Sequence, residues 1–129
     1  MSLSNYYEDS LLDTILEASL YLALCTADPT DAGTGASMNE VADAGSYARV
    51  NITAATWAAA SGGDKTTEAE ITFPAATDNW GTVTHWAILD SGTHGAGNVL
   101  WHGALTASKA IVNGDTPRVP IGDATLSVD

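Results

Sequence analysis

The chain reads as a mainly β protein, an antiparallel β-sandwich or jelly-roll-like domain with one short N-terminal helix, and three observations lead there. Trp80 to Asp90 and Asn98 to Leu105 are strand-like runs joined by Ser-Gly-Thr-His-Gly-Ala-Gly, the pattern of a long β-hairpin. Most other apolar stretches are short, alternate with a period of two, and stop at turns rich in Gly, Asp, Asn or Pro. Helical spacing occurs only near the start. A chain of 129 residues hides about two thirds of its unfolded surface around one core, so residues 1–129 are expected to form a single domain, a helix over about 5–18 followed by a β domain over about 19–129.

The elements follow in order. Leu11, Leu12, Ile15 and Leu16 recur at helical spacing, with Ser4, Asp9 or Ser10 available as a cap and Glu8 and Asp9 near the positive end. From Ser19 the period becomes two: Leu20, Leu22 and Leu24 face one way, Tyr21, Ala23 and Cys25 the other. Thr26 to Ser46 has no period and reads as a long surface loop that makes contacts. Tyr47 to Trp57 alternates again, with Ala48, Val50 and Ile52 opposite Tyr47, Arg49, Asn51 and Thr53, and Ser61 to Asp64 turns the chain. Glu68 to Phe73 is a strand that stops at Pro74. Beyond the hairpin, Lys109 to Val112 precedes the turn signal Asn113-Gly114-Asp115, and Arg118 to Ile121 and Ala124 to Val128 are terminal strands. About seven or eight short strands with frequent turns suit a sandwich. There is no repeat or heptad, which argues against a self-contained fibrous shaft.

Centring the hairpin turn on His94 pairs Trp86 with His102 and Ile88 with Leu100 on one face, and Ala87 with Trp101 and Leu89 with Val99 on the other. Both faces are then apolar, so each needs a cover. The cover is either the chain's own helix and loops or another subunit.

A formal charge of −12 from 16 acidic and four basic residues opposes direct binding to nucleic acid or an anionic membrane, because there is little cation to replace counterions. The acids lie singly in turns, where Asp bonds its own backbone, rather than in rows that would imitate DNA. Cys25 is the only cysteine, so an intrachain disulfide and a cysteine-based zinc site within one chain are both excluded. The start lacks a basic segment and its apolar run is broken by Asp13 and Glu17, which predicts synthesis and folding in a cytoplasm. Asn51-Ile52-Thr53 matches a glycosylation sequon inside a strand and is read as chance.

Few residues suggest chemistry. His85 and His102 fall on opposite faces of the expected hairpin and His94 at its tip, so a shared zinc ion would need a different register. Asp28-Pro29-Thr30-Asp31 offers oxygens to calcium, but without EF-hand spacing the ordinary reading is a Pro-initiated turn. No nucleophile elbow, phosphate-cradling loop or carboxylate pair is present, so no catalytic residue is assigned. Trp57, Trp80, Trp86 and Trp101 are read as core or interface residues before sugar platforms, with Trp80 kept as an exposed contact.

The ordered set LYLALCTADPTDAG from Leu20, YARV from Tyr47, WAAASGG from Trp57, ITFPAAT from Ile71, WGTVTHWAILD from Trp80 and GALTASKAIVNGD from Gly103 resembles small structural proteins of tailed-bacteriophage virions, a class that includes capsid decoration or cement proteins and tail-fibre-like proteins. The resemblance covers most of the chain. It implies a non-enzymatic assembly component without cofactor or metal, and a homo-oligomer, with a trimer as the order the analogy suggests. Lack of a shaft favours the capsid exterior, where the chain would stabilise the head by contact with the major capsid protein. The alternatives are a tail-associated or fibre-tip protein that binds tail proteins and a host receptor, and a free carbohydrate-binding module. The interface residues expected in any of these are Leu11, Leu12, Ile15 and Leu16 of the helix, with Trp80, Trp86 and Trp101.

Overall fold

The computed structural model describes residues 4–15, 20–52, 59–61, 64–66, 71–119 and 125–127. Among these it has a helix α1 (Asn5–Ile15) and strands β1 (Leu20–Cys25), β2 (Val50–Ile52), β3 (Asp64–Thr66), β4 (Ile71–Thr72), β5 (Gly81–Leu89), β6 (Val99–Ile111), β7 (Arg118–Val119) and β8 (Thr125–Ser127). The protein is mainly β. One sheet has the order β2-β1-β5-β6, and β3-β8 and β4-β7 form two-stranded sheets. The pairs β1–β5, β5–β6 and β3–β8 are antiparallel. The chain divides into two compact units, one from Leu20–Asn51 and Thr72–Arg118, the other from Met1–Ser19, Ile52–Ile71 and Val119–Asp129.

In the second of these, Ser4 caps the helix: its hydroxyl accepts from the Tyr7 amide at 3.4 Å and its carbonyl from the Glu8 amide at 2.9 Å. Glu8 then stands in the first turn, where the helix dipole favours an acid. The helix lies against β3, whose residues Asp64, Lys65 and Thr66 pair with Ser127, Leu126 and Thr125. Asp64 thus begins a strand where the sequence suggested the end of a turn. Leu16, Trp57, Thr53 and the expected strand segments at 53–57, 68–70, 120–121, 124 and 128 lie outside the described residues.

The other unit is built around β1. This strand lies between β2 and β5, and residues of both parities are enclosed: Leu22, Ala23, Leu24 and Cys25 are all buried. Its alternation is the one the sequence predicts, and the cross-strand register carries it over three strands. Tyr21, Leu89 and Val99 form one row, Ala23, Ala87 and His102 the next, and Cys25, His85 and Ala104 the third. Met38 packs with Ala23, Cys25, Ala87 and Leu89. On that face the cover is therefore the chain's own long loop. The opposite face carries the rows Leu22, Ile88, Trp101 and Leu24, Trp86, Gly103.

The hairpin register differs from the sequence expectation by one residue. Leu89 does pair with Val99, but Ile88 pairs with Trp101, Ala87 with His102 and Trp86 with Gly103. A bulge between Ile88 and Leu89 leaves Leu100 over, 40% exposed, and an extra residue in one strand exchanges the faces of all that follow. His85 and His102 consequently share a face instead of opposing each other. The predicted strand Lys109 to Val112 is not separate either: Lys109 to Ile111 are the end of β6, a strand of 13 residues, and Val112 lies just beyond it. The turn at Asn113-Gly114-Asp115 is present, with Gly114 at φ 96° and the Val112 amide donating to Asp115 Oδ2 at 3.0 Å.

Gly103 is required by its neighbour. A Cβ there would stand 2.7 Å from Cζ2 of Trp86, whose ring lies across the strand and is buried. Gly103→Ala should destabilise the protein by about 1–3 kcal/mol through overpacking, read as a lower urea midpoint with altered tryptophan emission. Ala104→Ser, one exposed position away, should leave the midpoint within about 0.5 kcal/mol.

Candidate functional site

Between β1 and β2 the chain runs through a long loop that is fastened to the β5–β6 connection. Local turns shape it: the Thr30 amide donates to Asp28 Oδ1 at 2.9 Å, and Thr30, Asn39 and Ser46 adopt positive φ. Isolated bridges join Cys25 to Glu40 and Thr34 to Asn98. The Gly35 amide donates to the Gly97 carbonyl at 3.0 Å, an approach so close that a Cβ on Gly35 would run into the Ala96 carbonyl.

Arg49 and Glu40 are the centre of this clasp, with side chains 0% and 4% exposed. Arg49 Nε and Nη2 donate to the two Glu40 oxygens, each at 2.8 Å, a bidentate fork. Its Nη1 donates to the carbonyls of Ser91 and Ala96, both at 2.8 Å. One guanidinium thereby binds the loop and both sides of the hairpin connection. Tyr47 completes the network: its hydroxyl donates to Glu40 Oε2 at 2.7 Å and accepts from the Leu24 amide at 3.1 Å. Its ring stacks on Phe73 and meets Trp80 edge-on.

The electrostatics match. Burial would lower the Arg49 pKa, but hydrogen bonding and charge pairing with Glu40 outweigh it and hold it above its ordinary value. Burial first, then the Glu40 charge, raise the Tyr47 phenol, so it stays a neutral donor. The same two causes push the buried Cys25 thiol up to about 12. At the hairpin mouth the Asn98 amide and side chain donate to the two Asp90 oxygens at 2.7 and 2.9 Å. These bonds, the backbone one first, lower the Asp90 pKa.

Each histidine has its own partner. His94 Nε2 stands 2.8 Å from the Val41 carbonyl, His85 Nδ1 2.8 Å from the Thr84 hydroxyl, and His102 Nε2 2.9 Å from Asp31 Oδ1. Asp28 approaches the other ring nitrogen of His102, at 3.8 Å. The two carboxylates thus address opposite sides of the ring and do not converge on one ion through it. Among the described residues no group of three or more His, Cys, Asp and Glu is arranged to hold a metal.

The expected contact residues are placed differently from one another. Trp80 is buried, 7% exposed, and its Nε1 donates to the Gly45 carbonyl at 2.9 Å, so the exposed platform expected there is absent. Trp86 is enclosed as well, and Trp101 is half-buried. Leu11 is half-buried on α1; the side chains of Leu12 and Ile15, and all of Leu16, lie outside the described residues. Tyr47 and Arg49 are buried while Ala48 between them is exposed, in keeping with the alternation of the sequence, and Glu40 neutralises the buried arginine. Sequence reasoning missed Arg49, Glu40 and Tyr47. The available signal was an arginine set between small and apolar residues in a chain with only four basic residues.

The chain matches, over residues 2–127, the family described as podophage GP4 fiber I protein gp80. It belongs to that family. The fibre family makes it a structural protein of a tailed-phage virion, as the resemblance in sequence implies. No curated protein matches the chain.

Tyr47→Phe should cost about 1–3 kcal/mol in urea unfolding, because it leaves the buried Leu24 amide without its acceptor and removes a donor from Glu40. Asp90 contributes stability above its unfolded pKa of about 3.9, and this is lost as pH falls through its lower folded value. NMR titration should place the Asp90 midpoint below that of an unfolded peptide, and Asn98→Ala should raise it. Cys25 should resist alkylation at pH 8 in the folded protein and react once it is denatured.

Proposed function

We propose that this chain is a tail-associated fibre component of a phage virion that works by protein–protein adhesion as a homo-oligomer, without turnover. The observation that carries the reading is the fibre-family match over nearly the whole chain. The capsid-decoration reading rested on the lack of a repetitive shaft, and that is a weaker ground, because a short domain can be fastened to a shaft made by another protein. The buried clasp suits such a role: it turns a long loop into a fixed surface, which lowers the ordering cost of a contact.

Proteins of the tail and a host receptor are the partners this reading proposes, and the half-buried Trp101 and the exposed turn around Asp31 are surfaces available to them. Particles lacking the chain should keep normal head stability to heat and osmotic shock and should lose adsorption to host cells. Intact adsorption with a fragile head would instead establish the capsid role, because cement adds binding free energy only to the assembled shell. A label on the chain, located by reconstruction of whole particles, should lie on the tail.

A further inference from the structure

Among the described residues, nothing covers β6 between Ala104 and Ala110. Ala104, Thr106, Ala107, Ser108, Lys109 and Ala110 are exposed and Leu105 is only partly buried, so both faces of the strand are open over this stretch. Among the described residues the outer edge is open as well, since β6 stands last in its sheet. On the inner side, Leu105 to Ser108 lie opposite the single Thr84, between the pairs His85–Ala104 and Val83–Lys109. That arch removes ladder partners from the strand. A two-stranded ribbon is marginal in water until another strand or layer joins it, and unpaired backbone groups along an edge are the template for that strand.

Charge identifies the partner the edge accepts. Two copies of a chain of formal charge −12 repel each other over most of their surfaces. The run from Ser91 to Gly114 contains no acid, and its one formally charged residue is Lys109. A second copy arriving here meets a neutral to basic strip with the small side chains of Ala104, Ala107, Ser108 and Ala110. An antiparallel pairing centred on Ala107 sets Lys109 opposite Leu105, so the cation never faces itself.

We propose that the edge Ala104 to Ala110 of β6 pairs with the same edge of a second copy of this chain, antiparallel and about a two-fold axis. This rests on the homo-oligomeric reading above and names its contact. A two-fold edge joins copies in pairs, so the trimer suggested by analogy would need a second kind of contact. Bulges and lysines are also the means by which proteins keep an edge unpaired, and a monomer is the competing outcome.

Ala107→Cys in the full chain tests the edge, because Cys25 is buried with its thiol held protonated up to about 12 and stays silent. Under mild oxidation Ala107→Cys should form a disulfide-linked dimer, while Ala32→Cys, equally exposed on the loop, should not. Light scattering should show the wild type as a dimer and Ala107→Glu, with unchanged circular dichroism, as a monomer at the same concentration. If an oligomer persists in Ala107→Glu and Ala107→Cys does not cross-link, this edge is wrong and homo-oligomerisation stands. If the wild type is a monomer at every concentration tested, both fail.

Discussion

A guanidinium taken out of water dictates how this protein is assembled. Moving such a charge inward costs several kcal/mol even after relaxation, and only a partner of opposite charge with a full set of hydrogen bonds makes the position tolerable. Arg49 meets that demand with Glu40 and the carbonyls of Ser91 and Ala96. Glu40 belongs to the loop after β1, and the two carbonyls belong to the connection between β5 and β6. The three segments cannot move apart without leaving a buried charge unsatisfied. The pair is thus a device for position more than a source of net stability, since a well-packed apolar replacement of the same volume is often as stable.

The consequences spread outward from that point. With the loop fixed, Met38 closes the face of Ala23, Ala87 and Leu89, which would otherwise be an apolar sheet face in water. Tyr47 is held by Glu40 on one side and the Leu24 amide on the other, and its ring completes the packing of Phe73 and Trp80. Trp80 in turn bonds to Gly45 at the end of the loop. A segment with few large apolar residues is ordered by polar bonds at chosen points, with Met38 and Val41 as its apolar anchors.

Much of the fold was legible because it rests on local patterns. The two-residue period of Leu20 to Cys25, the hairpin and the Asn113-Gly114-Asp115 turn are each written within a few neighbouring residues. The hairpin register was not, because the bulge at Ile88–Leu89 adds one residue and no side chain near Leu100 announces it. That slip also misplaced His102, which sits on the face of Ala87 and reaches Asp31 across the loop. Arg49 and Glu40 were illegible for a different reason: they are brought together by a loop without period, and alternation alone does not say which side of Tyr47 to Arg49 is enclosed. Trp80 was read as exposed from its polar neighbours, whereas its burial depends on a carbonyl 35 residues earlier in the chain. The virion class was readable from the ordered segments taken together, while head against tail depends on partners that a chain's own residues do not encode.

A double-mutant cycle on Arg49 and Glu40 tests the central claim most directly. Urea unfolding would be followed for Arg49→Met, Glu40→Met and the double variant, with circular dichroism confirming that each is folded. The account predicts that each single change costs about 3–5 kcal/mol, because it strands a buried charge, and that the double variant loses far less than the sum. Additive losses, within about 0.5 kcal/mol, would show that the two side chains act independently and that the loop is held in place by something else.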